Sequence, residues 1–311
     1  MTDQRVIVVT GPTATGKSAL GVLMAKAIGG EIVSADSMQV YKHLDIGAAK
    51  PSVEDRQGIP HHMIDVATPF DYYSAARYVR EAALCIDDIL SRGKQSLLVG
   101  GTGHYINSLL SGGGFLARGS KELRADLEAR YEQIGGDSML RELGEFDRES
   151  AAKLHANDKK RIIRAFEAFH TTGKPISQHD SETKTQPPRY DALKFALTFS
   201  DRETLYARID RRVDAMLSEG LENEVRALID MGVPLDSTAM QAIGYKEVAE
   251  AILGRSTLFD AIDKVKMESR RYAKRQLTWL RRDDSVKWIT WEEEPDLKQG
   301  VQMILSSIKR N

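Results

Sequence analysis

Short apolar runs alternate with amphipathic stretches over the N-terminal third of the chain. Residues 6–9, Val-Ile-Val-Val, are apolar and β-branched and run into a glycine-containing turn, which predicts a buried parallel strand. Apolar positions at helical spacing follow over residues 18–28, and two further strands are predicted at residues 31–34 and 95–99. Strand, helix and strand in this order indicate an α/β fold with a parallel sheet flanked by helices.

The middle of the chain has a helical pattern instead. Residues 121–134 and 151–171 carry apolar side chains at helical spacing, and the glycines of residues 112–114 precede them. We therefore predict an inserted all-helical domain at residues 113–195, within an α/β core made of residues 1–112 and 196–311.

The last third of the chain returns to the core pattern. A strand is predicted at residues 193–199, followed by long helices at 202–231 and 257–280. Thr257, with Asp260 three residues later, resembles a capping box in which Asp takes the usual place of Glu. The second long helix is therefore predicted to begin at this point.

A phosphate-binding loop follows the first predicted strand. The pattern Gly-x-x-x-x-Gly-Lys-Ser between a strand and a helix is a strong signal, because its glycines turn backbone N–H groups toward phosphate oxygens. Lys17 adds a cation, and the hydroxyl of Ser18 can ligate Mg²⁺. The predicted diphosphate- or nucleotide-binding residues are Gly11, Pro12, Thr13, Ala14, Thr15, Gly16, Lys17 and Ser18.

Acidic residues near this loop leave its ligand open. Proteins that hydrolyse nucleotides normally end a neighbouring strand with Asp, but here residues 100–103 are Gly-Gly-Thr-Gly, and Asp65 follows too short an apolar run. This lowers the expectation of an NTPase without excluding a small-molecule kinase. Asp36 follows the second strand, at the sheet edge where ligands bind; it either serves as a general base or metal ligand, or caps a helix.

Composition and charge add little about partners. The net charge of −1 argues neither for nor against a polyanion, and no apolar stretch approaches the roughly 20 residues of a membrane helix. Cys85 is the single cysteine, which excludes an internal disulfide and a cysteine-rich metal site. We expect a soluble cytoplasmic protein that is a monomer.

Seven motifs occur in order over nearly the whole chain. They are Gly11-Pro-Thr-Ala-Thr-Gly-Lys-Ser18, Ser34-Ala-Asp-Ser-Met-Gln-Val-Tyr41, Asp45-Ile-Gly-Ala-Ala-Lys-Pro51, Val99-Gly-Gly-Thr-Gly103, Thr172-Gly-Lys174, Gln241-Ala-Ile-Gly-Tyr-Lys246 and Tyr272-Ala-Lys-Arg-Gln-Leu-Thr-Trp279. Together they resemble the tRNA dimethylallyltransferase family, also called tRNA isopentenyltransferases. The last two motifs are specific to that family rather than to P-loop proteins at large.

The resemblance implies a P-loop NTPase-like core and a prenyl-transfer reaction. The family moves a dimethylallyl group from dimethylallyl diphosphate to N6 of adenosine 37 in tRNAs that read codons beginning with U, with Mg²⁺ as cofactor. The P-loop would then hold the donor's diphosphate, which explains the missing strand-end acid. Asp36 matches the family's catalytic base. Thr13 and Thr102 match positions near the diphosphate and the reacting groups, and Arg208 matches an arginine aimed at the diphosphate.

The resemblance also implies contacts with the anticodon stem-loop. The implied tRNA-binding residues are Asp36, Ser37, Met38, Gln39, Arg124, Lys160, Arg161, Arg164, Gln241, Gly244, Tyr245 and Lys246. Tyr245 either stacks on a base or is a half-buried aromatic side chain, while Trp279 is predicted to belong to the core. Arg211 and Arg212, on the same helical side as Arg208, are predicted to belong to a solvated helix face.

Two departures and three rival functions remain. Ala48 stands where the family usually has threonine, and His104 where it often has leucine. The rivals are an adenylate isopentenyltransferase that acts on free AMP, ADP or ATP, a P-loop kinase, and a non-catalytic RNA-binding protein. The basic residues of the late helix and the motif at residues 241–246 argue against the first.

Overall fold

Six strands form the central sheet of the protein. The structure is a computed structural model that describes residues 5–111, 116 and 119–310, with the backbone only for Lys184 and Arg310. The strands are β1 (Val6–Thr10), β2 (Glu31–Ser34), β3 (His61–His62), β4 (Ser96–Val99), β5 (Ala192–Phe199) and β6 (Val286–Trp291). Their order is β3-β2-β4-β1-β5-β6, and every pairing is parallel, which confirms the predicted fold class.

Helices connect these strands and fill the segment between β4 and β5. They are α1 (Lys17–Ile28), α2 (Val53–Arg56), α3 (Ala75–Ser91), α4 (Gly103–Leu110), α5 (Lys121–Ile134), α6 (Gly136–Phe146), α7 (Arg148–Lys153), α8 (Lys159–Thr172), α9 (Ile176–Lys184), α10 (Arg202–Ser218), α11 (Leu221–Asp230), α12 (Tyr245–Ile252), α13 (Leu258–Leu280) and α14 (Leu297–Arg310). The glycines at 112–114, ahead of the predicted insertion, lie outside the described residues.

The chain divides into two compact units. The sheet unit comprises the described residues of 1–110 and 190–311, and the helical unit comprises those of 111–189. The predicted return to the core at residue 196 is too late, because β5 already pairs with β1 from Ala192 onward. The N–H of Val6 also donates to the carbonyl of Asp191 at 2.8 Å, so the ladder begins before the apolar part of the strand.

The apolar residues of β1 explain its central place in the sheet. All five of its residues are buried, as expected of a parallel strand covered on both faces. Because successive side chains point to opposite faces, Val6 and Val8 pack into one hydrophobic cluster and Ile7 and Val9 into another. The sheet is therefore fixed in register at the strand that leads into the phosphate loop.

Two helices predicted as continuous are each broken in the structure. Between α10 and α11, Gly220 adopts φ 102°, a left-handed conformation that ends the first helix and starts the second. In the helical unit, α7 ends at Lys153 and α8 begins at Lys159, and the N–H of His155 donates to Asp158 Oδ2 at 3.1 Å in the intervening turn. Local side-chain hydrogen bonding thus overrides the apolar periodicity that predicted one helix.

The predicted start of the late helix is confirmed. The hydroxyl of Thr257 accepts a hydrogen bond of 3.0 Å from the backbone N–H of Asp260, so Thr257 is the N-cap of α13. This 23-residue helix crosses the sheet unit and packs against α10 and α12. Trp279, near its end, packs against core residues as predicted.

Candidate active site at the carboxyl edge of the sheet

The phosphate loop joins β1 to the N-terminus of α1. Gly11 adopts φ 136°, and a Cβ there would lie 2.5 Å from the carbonyl oxygen of Leu197, so β5 leaves no room for a side chain. Gly16 adopts φ 87°, the left-handed conformation that favours glycine. The hydroxyl of Thr15 donates to the carbonyl of Pro12 at 2.9 Å and closes the loop. The first N–H groups of α1 are thus presented to an anion.

Lys17 lies within this loop, and its pKa is lowered. Its Nζ donates to the carbonyl of Pro12 at 2.6 Å. Burial, together with the nearby Arg212 guanidinium, lowers the pKa of Lys17 to about 7, although the charge of Asp36 opposes the shift. Two cations that repel each other in a partly buried site indicate a place prepared for an anion.

Asp36 caps a turn and also lies at a cavity. Its Oδ1 accepts hydrogen bonds from the backbone N–H groups of Met38 at 2.9 Å and Gln39 at 3.4 Å, so the carboxylate caps a turn. Asp36 also lines a cavity beside the phosphate loop, together with Thr13, Lys17 and Ser18; we call it the main cavity. Both N–H groups engage the same carboxylate oxygen, Oδ1.

Thr102 braces the segment that carries Asp36. Its Oγ1 accepts a hydrogen bond of 3.0 Å from the backbone N–H of Ser37 and lies 3.4 Å from the Ser37 hydroxyl. The loop before Thr102 packs tightly on this segment, because a Cβ on Gly100 would lie 2.3 Å from the carbonyl oxygen of Ala35. The close approach explains why a glycine stands where a nucleotide hydrolase would carry Asp.

The main cavity has both charged and apolar lining residues. Its volume is about 380 Å³, within the range of small-molecule sites. Thr13, Lys17, Ser18 and Arg212 line it at the phosphate loop, where charge is concentrated. Apolar side chains also line this cavity, and we call them the apolar wall; they include Ala48, Val213, Met216, Leu221, Ala242 and Ile243. Such a lining suits an amphipathic ligand with a charged head and a short hydrocarbon group.

A second cavity meets the first at the phosphate loop. It has a volume of about 720 Å³, and Lys17, Ser18 and Arg212 line both cavities. Lys50 lies at this cavity with its charge fully engaged, since Nζ contacts the carboxylates of Asp45 at 2.7 Å and Asp65 at 2.5 Å. The phosphate loop is therefore accessible from two sides.

Among the described residues, the arginines that line the main cavity are Arg212 and Arg275, whereas Arg208 contacts the backbone of the phosphate loop. Arg208 donates from Nε to the carbonyl of Ala14 at 3.1 Å and forms an ion pair with Glu294. Arg212, one helical turn later, lines both cavities instead, which corrects its assignment to a solvated face. Burial lowers the pKa of Arg212, and the carboxylate of Asp36 opposes this shift. The sequence does carry a signal, because residues four apart share a helix face.

Two residues of α13 at this site had no predicted role. Gln276 is buried and donates from Nε2 to the carbonyl of Gly101 at 2.8 Å, while its Oε1 accepts from the N–H of Thr13 at 3.2 Å. Tyr272 lines the main cavity, where burial and then the charge of Asp36 raise its pKa to about 12. Both residues belong to the motif at 272–279. The family resemblance of that motif implied no specific role for either residue.

The predicted RNA-contacting residues of the sheet unit differ in their exposure: most line the main cavity, one is exposed and one is buried. Ser37, Met38, Gln39, Gln241 and Gly244 line the main cavity, and Lys246 is exposed. Tyr245, in contrast, is fully buried and donates from its hydroxyl to Glu224 Oε1 at 2.5 Å. Base stacking by Tyr245 is therefore wrong for this structure, because its ring is enclosed by the core.

In the helical unit, two of the predicted RNA-contacting residues, Arg124 and Arg164, pair with a buried carboxylate. Glu167 is completely buried, with Arg124 Nη1 3.2 Å from its Oε1 and Arg164 Nη1 3.6 Å from its Oε2. Arg164 also donates to the carbonyl of Leu116 at 2.9 Å. Removing either arginine would leave a buried charge less compensated, so both have a structural role. Lys160 and Arg161 are exposed at the start of α8 and remain accessible to a polyanion.

The histidines and candidate metal ligands take other positions. His62 Nε2 lies 2.8 Å from Glu31 Oε2, His61 lines the main cavity, and His104 is exposed on α4. Over the described parts of the chain, no three His, Cys, Asp or Glu side chains form a group suited to a metal ion. No helix in those same parts has the length and apolar character needed to span a bilayer.

Family models match this chain in two places. The model described as IPP transferase matches residues 39–283, and one described as isopentenyl transferase matches residues 4–68. A tRNA dimethylallyltransferase of Carboxydothermus hydrogenoformans is 47% identical over 287 residues, which covers 92% of each chain. One of Acetivibrio thermocellus is 45% identical over 289 residues, covering 93% of this chain and 92% of the relative.

Solved structures of such enzymes have the same fold. The tRNA isopentenylpyrophosphate transferase of Bacillus halodurans has a TM-score of 0.73 and 38% identity, over 99% of this chain and 96% of that one. A eukaryotic dimethylallyltransferase described as acting on tRNA has a TM-score of 0.85 and 29% identity, over 99% of this chain and 80% of that one. With a family model that spans most of its length and relatives above 45% identity, the chain belongs to the IPP transferase family of tRNA dimethylallyltransferases.

Proposed function

We propose that the protein transfers a dimethylallyl group from dimethylallyl diphosphate to N6 of adenosine 37 in tRNAs that read codons beginning with U. Membership of the family supports the reaction class, because the relatives are named tRNA dimethylallyltransferases. The observation that carries the proposal is that Asp36 lines the same cavity as Lys17 and Arg212. A proton acceptor and an anion site then share one space of small-molecule size.

The donor fits the two kinds of lining in this cavity. Its diphosphate would lie at the N-terminus of α1, where Lys17 and Arg212 supply positive charge. Its five-carbon group would lie against the apolar wall that includes Ala48 and Met216.

The side chains suit each part of the transfer. The bond from C1 of the donor to its diphosphate oxygen breaks, and the diphosphate leaves with the electron pair. A bond forms between C1 and N6 of adenine, and Asp36 accepts the proton that N6 gives up. Lys17 and Arg212 stabilise the negative charge that develops on the leaving group. Thr102 holds the Asp36 segment through the N–H of Ser37.

The residues also fit Mg²⁺ as the cofactor. Ser18 is exposed at the start of α1 and lines both cavities, so its hydroxyl is accessible to a cation. Mg²⁺ commonly takes one or two protein oxygens and completes its shell with phosphate oxygens and water, which suits a site with few carboxylates. When bound, the ion would neutralise charge on the diphosphate.

For the RNA partner, we propose an anticodon stem-loop with the target base turned outward. Gln39 and Gln241 line the cavity, and their amides, which donate to the carbonyls of Ala49 and Leu235 in this structure, would exchange these bonds for base edges. Lys246 and, in the helical unit, Lys160 and Arg161 would contact phosphates, which give affinity without sequence choice. We further propose that the enzyme works as a cytoplasmic monomer.

The choice of acceptor tests this proposal against its rivals. Labelled dimethylallyl diphosphate, Mg²⁺ and either an unmodified anticodon stem-loop or AMP are incubated with the protein. Label transferred to the stem-loop alone is the expected result. Label on AMP alone would assign an adenylate isopentenyltransferase. In a separate incubation with labelled ATP, transfer of phosphate without prenyl transfer would assign a kinase. Binding of the stem-loop with no transfer to any acceptor would leave only an RNA-binding protein.

A further inference from the structure

One carboxylate holds the loop that follows the Asp36 segment. Glu224, on α11, accepts hydrogen bonds at Oε2 from the backbone N–H groups of Asp45 at 2.9 Å and Ile46 at 2.8 Å. Its Oε1 accepts from the N–H of Gly47 at 3.1 Å and from the hydroxyl of Tyr245 at 2.5 Å. Four donors therefore converge on one side chain that lies far away in sequence. We call residues 45–51 the Gly47 loop.

The buried ring of Tyr245 sets how closely this loop approaches the core. A Cβ on Gly47 would lie 2.5 Å from Cε2 and 2.6 Å from Cζ of Tyr245, closer than any side chain allows. Only glycine permits this contact without displacement of the ring or the loop. Glu224 and Tyr245 thus fix the Gly47 loop from two directions, one through backbone N–H groups and one through packing.

The Gly47 loop forms part of the cavity wall and is connected to Asp36. Gly47, Ala48 and Pro51 line the main cavity, and Ala48 belongs to the same hydrophobic cluster as Val213 of α10 and Leu221 of α11. The side-chain amide of Gln39 donates to the carbonyl of Ala49 at 3.3 Å. Because the N–H of Gln39 also contacts the carboxylate of Asp36, the position of the loop is coupled to the proposed base.

We propose that Glu224 is a positioning residue that shapes the site for the prenyl end of the donor. Through three backbone N–H groups it holds the Gly47 loop at the distance that suits a five-carbon group. This inference rests on the proposed function, since it assigns the apolar wall to the donor. Glutamine in place of Glu224 would offer one acceptor oxygen and an NH₂ group that faces other donors, so it would release the loop.

Binding of two probes separates this role from general structural damage. The probes are the unreactive thiolodiphosphate analogue of dimethylallyl diphosphate and inorganic pyrophosphate, measured by calorimetry with Mg²⁺ and the full-length protein. Glu224→Gln is expected to weaken binding of the analogue about tenfold or more, since small displacements of positioning groups are costly. Affinity for pyrophosphate, which touches only the phosphate end, is expected to change less than about threefold.

Two further variants make the test decisive. Glu222→Gln alters an acid on the same helix that pairs with Arg226 at 2.8 Å, and both affinities should stay at parent values. Gly47→Ala forces the loop away from Tyr245 and should reproduce the selective loss even if Glu224→Gln does not fold. If the parent is active, equal weakening of the binding of both probes would overturn the positioning role. Unchanged binding of the analogue in both Glu224→Gln and Gly47→Ala would overturn it as well. A parent that neither binds the analogue nor prenylates RNA would overturn the proposed function itself.

Discussion

The side-chain oxygen of Gln276 accepts a hydrogen bond of 3.2 Å from the backbone N–H of Thr13 in the phosphate loop. The same side chain donates to the carbonyl of Gly101 at 2.8 Å, so α13 ties the phosphate loop to the loop after β4. A Cβ on Gly101 would lie 2.3 Å from Nε2 of Gln276, so a side chain there would displace this amide. The late helix is therefore a component of the site as well as a basic surface.

Changing Gln276 to Glu should damage donor binding and catalysis. The variant keeps the shape of the side chain, loses the donor to Gly101, and brings negative charge toward the proposed diphosphate site. We expect kcat/KM for the donor to fall about 10²-fold, comparable to the removal of one transition-state donor. Steady-state kinetics would measure this, with the exposed Gln302→Glu as a matched control that stays near the parent value. A fall of less than about threefold would remove Gln276 from the site.

Arg212 should matter more to the reaction than its neighbour Arg211. Arg212 lines both cavities, whereas Arg211 is exposed and lies 3.8 Å from Glu294. We expect Arg212→Ala to lower kcat/KM for the donor about 10²-fold or more, because the leaving group loses a cation. Arg211→Ala should change it less than about twofold, as is usual for an exposed charge. Equal effects of the two changes would contradict the assignment of Arg212.

Diphosphate binding should depend on pH through Lys17. The pKa of Lys17 is lowered to about 7 by burial and by Arg212, so much of the free enzyme has a neutral lysine at pH 8. An anion favours the charged form, so binding at pH 8 must draw a proton onto Lys17. Affinity for pyrophosphate is therefore expected to fall above pH 7, by at most about tenfold per pH unit.

Calorimetry in buffers of different ionisation enthalpy measures that proton uptake. Because pyrophosphate itself titrates, the comparison is with Lys17→Arg, whose guanidinium stays charged throughout this range. The parent should take up close to one more proton than the variant at pH 8, and the difference should vanish at pH 6. Identical proton uptake in both proteins at pH 8 would show that Lys17 is already charged in the free enzyme.

Glu31 should stabilise the fold at neutral pH and lose this effect in acid. Its carboxylate is almost fully buried and contacts Arg92 at 2.7 Å and 2.9 Å, Lys94 at 2.7 Å and His62 at 2.8 Å. The hydrogen bonds from Arg92, followed by those from Lys94 and His62, hold its pKa well below the ordinary 4.5 against the opposing effect of burial. A depressed pKa makes the stabilisation complete above the unfolded value and progressively lost as pH falls below it.

The Glu31→Gln variant provides the measurement. We expect it to lower the free energy of unfolding by about 2 kcal/mol at pH 7, a modest figure because Arg92 and Lys94 are partly exposed. Urea titrations at pH 7 and below pH 4 should show the difference between parent and variant shrinking in acid. The exposed Glu54→Gln should have no effect at either pH. A gap that is constant with pH would contradict the ion-pair account.

Local patterns predicted the parts of this protein that local forces determine. The apolar run at residues 6–9, the glycines of the phosphate loop and the cap at Thr257 all act over a few residues, so their sequence was sufficient. The break at Gly220 was missed because an isolated glycine is tolerated within a helical pattern, and only its left-handed backbone ends the helix. β3 has two residues and owes its existence to pairing with β2, which no short window reveals.

The site was predictable in chemistry and less so in the choice of side chains. Asp36 and Lys17 lie in loops that a parallel sheet brings together, so their meeting follows from topology. Arg208 and Arg212 share a helix face, and only the tertiary packing of α10 decides that Arg212 lines the cavities. Tyr245 was ambiguous because the core that encloses its ring is formed by distant residues, and Glu224, which accepts its hydroxyl hydrogen bond, lies 21 residues away on another helix.

The nucleosides of the product RNA test the central claim most directly. Unmodified tRNAs that read codons beginning with U are incubated with dimethylallyl diphosphate and Mg²⁺, digested, and analysed by mass spectrometry. The parent should convert adenosine 37 to its N6-dimethylallyl form, and Asp36→Asn should slow conversion by about 10²–10⁴-fold while still binding tRNA. Absence of the prenylated nucleoside with every such tRNA, from a folded parent that binds the donor analogue, would contradict the account.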